Sequence, residues 1–335
     1  SDSQEYKSFD EASKKFNNAY IKDNFEVVGP LERDGLLKNY DLVIDDYYYG
    51  EKTFEQAEIK MQKIVLDNLL NKNKLPESKV DVLLGGDLIN QISVSSYNAS
   101  KFKIPYLGIY SACATYAEEL IIGASLISGK LAKNVVAITS SHNLNAERQF
   151  RYPVEYGAVK KHTTTFTTTA AVSTLLTNEP TNIKIESATI GKAIDMGVTD
   201  TNNMGAVMAP AAADTLYTHL MDLKRNINYY DLVLTGDLGL VGKEIFLEML
   251  NKNYNINLKK YMDAGCEIYT NSQETYAGAS GPVALPLVLF DKILCCKRYK
   301  KILIIATGSL QSVQLANQKL GIPGIAHAIS LEVLS

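Results

Sequence analysis

Residues 104–129, IPYLGIYSACATYAEELIIGASLISG, decide the fold. They read as a short buried strand (104–110), a turn of small residues and then a helix. Cys113 sits in the turn, within Ser111-Ala112-Cys113-Ala114-Thr115. Small neighbours let backbone come close to whatever the thiol faces. The free N–H groups of a helix's first turn, and the positive end of its dipole, favour thiolate there. Cys113 is therefore a candidate nucleophile or ligand contact. The plain alternative is a small packed residue, since free cysteines are commonly buried.

Working outward, Val135-Val136-Ala137-Ile138-Thr139 is a continuous apolar, β-branched strand that ends in Ser140-Ser141-His142-Asn143. Upstream, Val80-Asp81-Val82-Leu83-Leu84 runs into Gly85-Gly86-Asp87-Leu88, with a helix expected over about 90–102. Before that, Thr53 opens a capping box, and Phe54, Ala57, Met61, Ile64, Val65 and Leu69 follow at helical spacing until the polar exit before Pro76. Fully apolar strands alternating with helices specify a parallel or mixed α/β sheet with both faces covered.

The second half repeats the pattern. Asp231-Leu232-Val233-Leu234-Thr235-Gly236-Asp237-Leu238 matches 81–88 and is followed by a helix (243–251), a strand (264–269), the small-residue turn Ala277-Gly278-Ala279-Ser280-Gly281, an apolar helix to about 294 and the strand 301–309. The shared order is strand, Gly-Asp-Leu, helix, strand, small turn, helix, strand. We read a duplication into two similar α/β halves, 1–180 and 181–335, the first with a loop-rich N-terminus and a short strand at Ala19-Tyr20-Ile21.

Three stretches stand outside the repeat. Residues 41–49, DLVIDDYYY, carry carboxylates that suggest a metal less well than a solvated loop beside an interface. The run Thr163–Thr169 reads as a partly exposed strand. Asn203-Met204-Gly205, ahead of an Ala-rich helix with Pro210 near its start, is placed at a pocket edge or in packing.

A formal net charge of −3 over 335 residues argues against broad nucleic-acid binding, which needs a basic face, and leaves room for a local basic pocket. No apolar run reaches the length of a membrane span, and Ser1-Asp2-Ser3-Gln4-Glu5 does not read as a signal peptide. Cys113, Cys266, Cys295 and Cys296 lack zinc-finger spacing, so a reducing compartment is expected and no metal site.

The segments 86–93 (GDLINQIS), 104–115 (IPYLGIYSACAT), 139–157 (TSSHNLNAERQFRYPVEYG), 188–197 (ATIGKAIDMG), 203–215 (NMGAVMAPAAADT), 235–239 (TGDLG) and 325–330 (IAHAIS) together resemble the stage V sporulation protein AD (SpoVAD) family. The resemblance extends from about Val28 to the C-terminus. It implies a thiolase-like α/β fold, layered α-β-α-β-α. It also implies a non-catalytic binding component of the SpoVA complex. Its ligand would be dipicolinic acid, alone or as the calcium chelate, moved into the forespore and released in germination. No cofactor is implied. The implied partners are the other SpoVA membrane proteins, with peripheral association at the forespore or spore inner membrane. Thiolase-fold proteins commonly dimerise, so a homodimer is expected through the strand 133–139. Relatives carry a GGSGCGCSA-like turn where this chain has Ala277-Gly278-Ala279-Ser280-Gly281-Pro282, a departure bearing on any ligand contact from that side.

Condensing enzymes of this fold need more than a thiol. Thiolate attack on a thioester and the later carbanion call for a histidine pair, or a histidine and an asparagine, from the second half. In the ketoacyl-synthase III branch these follow the strand equivalent to 232–235 and lie in the turn equivalent to 278–281. Here those places hold Asp237 and Ala279 or Ser280. Carboxylate in place of imidazole reverses the charge beside a developing oxyanion. His219, read as following a helix, and His327, in the last strand, offer no replacement. The expectation is an anion site at a helix N-terminus, with Cys113, His142, Asn143, Arg148, Arg151, Met204, Gly205 and Asp237 as candidate contacts. The alternative is an acyltransferase or condensing enzyme with Cys113 as nucleophile.

Overall fold

The structure, a computed structural model, describes residues 12–151 and 157–334. The first half contributes strands β1 (Tyr20–Val28), β2 (Val82–Gly86), β3 (Tyr106–Gly108), β4 (Asn134–Ser141) and β5 (Ala170–Thr177). The second contributes β6 (Ile183–Thr189), β7 (Leu232–Thr235), β8 (Tyr261–Asp263), β9 (Lys301–Ser309) and β10 (Gly324–Val333). Their hydrogen-bonded order is β8-β7-β9-β10-β6-β1-β5-β4-β2-β3. Each half thus has the same internal order (third, second, fourth, fifth, first strand), and the two run outward from a shared centre. Within each half the second, third and fourth strands are mutually parallel, and the fifth is antiparallel to both the fourth and the first. The halves meet where Tyr20 and Ile21 pair with Lys184 and Ile183.

Helices form three further layers. α1 (Phe54–Lys72), whose N–H at Gln56 donates to Thr53 Oγ1 (3.2 Å), lies with α2 (Ser93–Ala99) on the outer face of the first half. α5 (Met204–Asp222) and α6 (Gly239–Tyr254) cover the outer face of the second. Between the halves lie α3 (Thr115–Ser128) and α7 (Ala284–Val288), the latter continued by a π-helical turn at Leu289–Leu294. α3 is apolar nearly all round because it touches β2, β4 and β5 on one side and β9 and β10 on the other. The residues of 115–128 and 284–293 share one core with both sets of strands. The arrangement is the thiolase-like α-β-α-β-α stack.

Several local expectations need correction. Residues 104–110 hold only the three-residue β3, and it is an edge strand with Leu107 47% exposed, because β2 is its sole neighbour. The helix placed over 90–102 is a 3-10 turn, Asn90–Ile92, and then α2, since Gln91 and Ile92 both take left-handed backbone (φ 56° and 45°). The strand placed at 264–269 lies earlier, at Tyr261–Asp263, and Ala264–Cys266 is a 3-10 turn. The threonine run is buried, with strand geometry only at Phe166–Thr167, which pairs in parallel with Ala279–Ser280. The N-terminal region contains a nine-residue strand, β1, and His219 lies within α5. β4 is flanked on both sides, so it presents no free edge through which copies can pair.

Candidate functional site

The turn that carries Cys113 is a 3-10 turn, Ala112–Ala114, feeding α3. Ala112 adopts φ 48°, a left-handed conformation costing a residue with a Cβ about 1 kcal/mol or more. Thr115 fixes it by donating to Ala112 O (2.7 Å) and accepting from Ser111 N–H (3.0 Å). Gly308 of β9 lies directly against this turn. A Cβ there would sit 2.8 Å from Ser111 O and 3.1 Å from Ala114 N. The second half therefore supports the first at the cysteine.

Asp237 reaches Cys113 from the Gly-Asp-Leu turn after β7. It is wholly buried. Thr307 Oγ1 donates to its Oδ1 (2.8 Å) and Gly281 N–H to its Oδ2 (2.9 Å). The Cys113 thiol lies within the field of the same carboxylate. Burial, then the Asp237 charge, push the Cys113 thiol well above its ordinary range, against opposing pulls from the Gly281 backbone N–H and from Arg151. The thiolate expected from the helix N-terminus is not favoured. Asp237 is itself raised to about 7, chiefly by burial, with its hydrogen bonds pulling the other way. Its counterpart Asp87 only ties a loop, accepting from Ile89 N–H (3.0 Å) and from Ser95 N–H (2.9 Å) and Oγ (2.7 Å).

Cys113 faces a narrow cavity of about 30 Å³, enough for a water or two. Tyr110, Phe150, Arg151, Thr167, Met204, Ser280, Ser309 and Gln311 line it with Leu88, Ala112 and Ala146. Three polar atoms around it, Arg151 Nε, Ser309 Oγ and Gln311 Oε1, are buried without a hydrogen-bond partner. An open groove of about 870 Å³ adjoins it and shares Leu88, Tyr110, Phe150 and Gln311, which form the wall common to groove and cavity.

The sequence-derived candidates divide accordingly. Cys113, Arg151 and Met204 line the cavity, and Asp237 backs the thiol. Arg148 lines only the outer groove and pairs with Glu55. His142 and Asn143 serve the backbone. His142 caps α4 (Asn143–Phe150), its Nδ1 accepting from Leu144 N–H (3.3 Å) while Nε2 donates to Tyr47 O (2.8 Å). Burial pushes its pKa down to about 4, so it is neutral and contributes no charge to an anion site. Asn143 Nδ2 donates to Thr167 O (3.0 Å). Gly205 is the crossing point of α5 and α6, where a Cβ would meet Gly242 N at 2.7 Å. Lys160 pairs with Glu147 (3.3 Å) and Lys161 with Asp200 (2.9 Å). Glu155, within the 139–157 segment, lies outside the described residues.

Ser280 lines the cavity from the small-residue turn, whereas Thr167, Ser309 and Gln311 were not anticipated. One signal was present, because Ser309 ends β9 as Ser140 and Ser141 end its counterpart β4. Among the described residues no group of three or more His, Cys, Asp or Glu side chains could hold a metal ion. In 41–49, Asp41 accepts from Glu26 N–H (3.0 Å) and Asp46 caps Tyr48 N–H (2.8 Å). Among the described residues no helix is long and apolar enough to cross a membrane.

Comparison with known proteins extends the picture. The family model for stage V sporulation protein AD (SpoVAD) matches residues 11–332. Stage V sporulation protein AD of Bacillus subtilis (strain 168) is 41% identical over 308 residues, covering 91% of each chain. Among solved structures, 3-oxoacyl-[acyl-carrier-protein] synthase III of Aquifex aeolicus VF5 superposes with a TM-score of 0.57 at 16% identity, covering 94% of this chain and 99% of its own. A single-site variant of Xanthomonas campestris OleA gives 0.62 at 13% identity, covering 95% and 99%. At such identities these last two speak for the fold alone.

Proposed function

The chain belongs to the stage V sporulation protein AD family, and from that premise we propose that it serves sporulation as a non-catalytic binder of dipicolinic acid, alone or as the calcium chelate. In this reading it works beside SpoVA membrane proteins at the forespore or spore inner membrane, in uptake and release. One observation carries the non-catalytic part. The position that supplies a base in condensing enzymes holds Asp237, a wholly buried carboxylate whose charge opposes thiolate formation at Cys113. A nucleophile needs its conjugate base, and here charge and burial both work against it.

Binding of a carboxylate is supported by the cavity wall. Arg151 is the one charged residue on it among the described residues, and its Nε has no partner. Ser309 Oγ adds a donor that also lacks one. Charge-assisted N–H to carboxylate bonds are the strong ones in such a setting. A cavity of about 30 Å³ does not admit an aromatic dicarboxylate as it stands, so the ligand enters with displacement of Phe150 and Gln311 from the wall of the larger groove.

Calorimetric titration tests the reading. Dipicolinate should give saturable heat, and isophthalate, which keeps both carboxylates and lacks the ring nitrogen, should bind more weakly. Equal or absent heats for the two would contradict it. Incubation with acyl-CoA followed by intact-mass measurement should show no adduct on Cys113; an acyl-Cys113 species would favour the condensing alternative.

A further inference from the structure

Glu147 is the feature of the site that the binding reading leaves unused. It lies on α4, one turn before Arg151, and its side chain is 3% exposed. One oxygen, Oε1, takes both neighbouring cations: Arg151 at 2.5 Å and Lys160 Nζ at 3.3 Å. Arg151 spends its terminal nitrogen on this contact, while its Nε stays buried and unpartnered on the Cys113 cavity. Lys160 does not line the cavity. Its Nζ lies over the Phe166 ring (5.8 Å to the centroid). Two cations thus meet one buried carboxylate, and Arg151 is the one charged side chain that lines the cavity among the described residues.

We propose that Glu147 is a resident stand-in for the ligand's carboxylate and that Lys160 is the positioning residue that makes it displaceable. This rests on the anion-binding reading of the cavity and adds the mechanism of its charge selectivity. An incoming carboxylate takes Arg151 from Glu147. Glu147 is left buried, and a buried carboxylate stripped of its partner is strongly disfavoured unless another cation remains. Lys160 remains. The exchange is one carboxylate for another at a fixed guanidinium, so the site selects anions over neutral analogues and keeps a buried charge paired in both states. Lys161, engaged with Asp200 at 2.9 Å, cannot take this part.

The test uses Cys113 itself as the reporter, with iodoacetate as the anionic probe and iodoacetamide as its neutral counterpart. In both, the thiolate sulfur displaces iodide at carbon; a C–S bond forms, the C–I bond breaks and the thiol proton goes to solvent. Peptide-mapped alkylation rates at Cys113 at a common pH give the ratio of anionic to neutral reactivity, in which thiol acidity cancels. Glu147→Gln should raise that ratio several-fold, because Arg151 is free from the start. Lys160→Met should lower it several-fold. In the double variant the Lys160 effect should vanish, since there is no stranded carboxylate to compensate. Additive effects would overturn the exchange, since they would reduce both residues to a general field. A ratio unmoved by either substitution, or a Cys113 that neither reagent reaches, would overturn it as well. A dipicolinate titration of the same four proteins separates this inference from the reading beneath it. Heat from the wild type with additive alkylation ratios sinks the exchange alone. A coupled alkylation pattern without dipicolinate heat upholds carboxylate exchange and rejects dipicolinate as the ligand.

Discussion

At Cys113 two effects compete, and their sizes decide the chemistry. A helix N-terminus stabilises an anion by about 0.3–1 kcal/mol when exposed and up to ~2 kcal/mol when partly buried. Full burial shifts an ionisable group by up to roughly 3–5 pKa units, each worth about 1.4 kcal/mol, and the Asp237 charge adds in the same direction. The thiol stays protonated. Asp237→Asn removes the opposing charge while keeping an acceptor for Gly281 N–H, so alkylation of Cys113 by iodoacetamide at pH 8 should speed up, by roughly tenfold for one unit of thiol pKa. An unchanged rate would show that burial alone holds the proton. The sequence displayed Asp237 where a base was needed, and that much was legible from the repeat. It did not display that burial and the Asp237 charge together hold the thiol proton, nor that His142 is consumed in capping α4 and holding Tyr47 O. A histidine after a strand looks the same in a sequence whether it faces a cavity or its own backbone.

Among the elements, the duplicated Gly-Asp-Leu segments illustrate what periodicity reveals and what it hides. Recurrence in the same order was enough to find two halves, because each segment ends a covered strand and turns the chain toward a helix. The second small-residue turn was harder to read. It holds the two-residue strand Ala279–Ser280 against Phe166–Thr167, a tertiary pairing that no local propensity encodes. The same pairing explains why the threonine run is buried rather than half-exposed. The α5–α6 crossing gives an element-scale prediction. Gly205→Ala places a Cβ 2.7–2.8 Å from Gly242 backbone, which cannot give way as a flexible side chain would. Denaturant unfolding should show a loss of about 1–3 kcal/mol with an unchanged m-value, and a neutral result would mean that the two helices separate freely. Gly308→Ala should act differently. Its Cβ meets Ser111 O and Ala114 N, so the Cys113 turn itself is displaced and dipicolinate heat should weaken along with stability.

For the whole molecule, the buried carboxyls set the response to pH. Glu32 and Asp237 are both raised to about 7, mainly by burial, so from about pH 4 to 7 the native state binds more protons than the unfolded chain and stability falls as pH rises. His142 and His219, pushed down to about 4 and about 3, work in the opposite sense, but only below about pH 6.5, where an unfolded imidazole charges. Above that, the carboxyls titrate alone. Stability present at pH 6.5 should decline as pH passes 7, by about 1–2 kcal/mol in all by pH 8. That is a fall in Tm of a few degrees by calorimetry, and Asp237→Asn should lessen it; a rising Tm would contradict these assignments. The expected homodimer belongs to this scale too. β4 is interior, whereas β3 is an edge with Leu107 exposed. Light scattering should therefore report a dimer that Leu107→Lys dissociates, and a dimer indifferent to that change would place the contact elsewhere.

A crystal structure of the chain with dipicolinate decides where the dicarboxylate sits. One ligand carboxylate should lie within hydrogen-bond distance of Arg151 Nε and Ser309 Oγ, with Phe150 moved from the cavity wall and Cys113 unmodified. Dipicolinate resting elsewhere, with Arg151 still on Glu147 and Phe150 still on the wall of the Cys113 cavity, would contradict that placement.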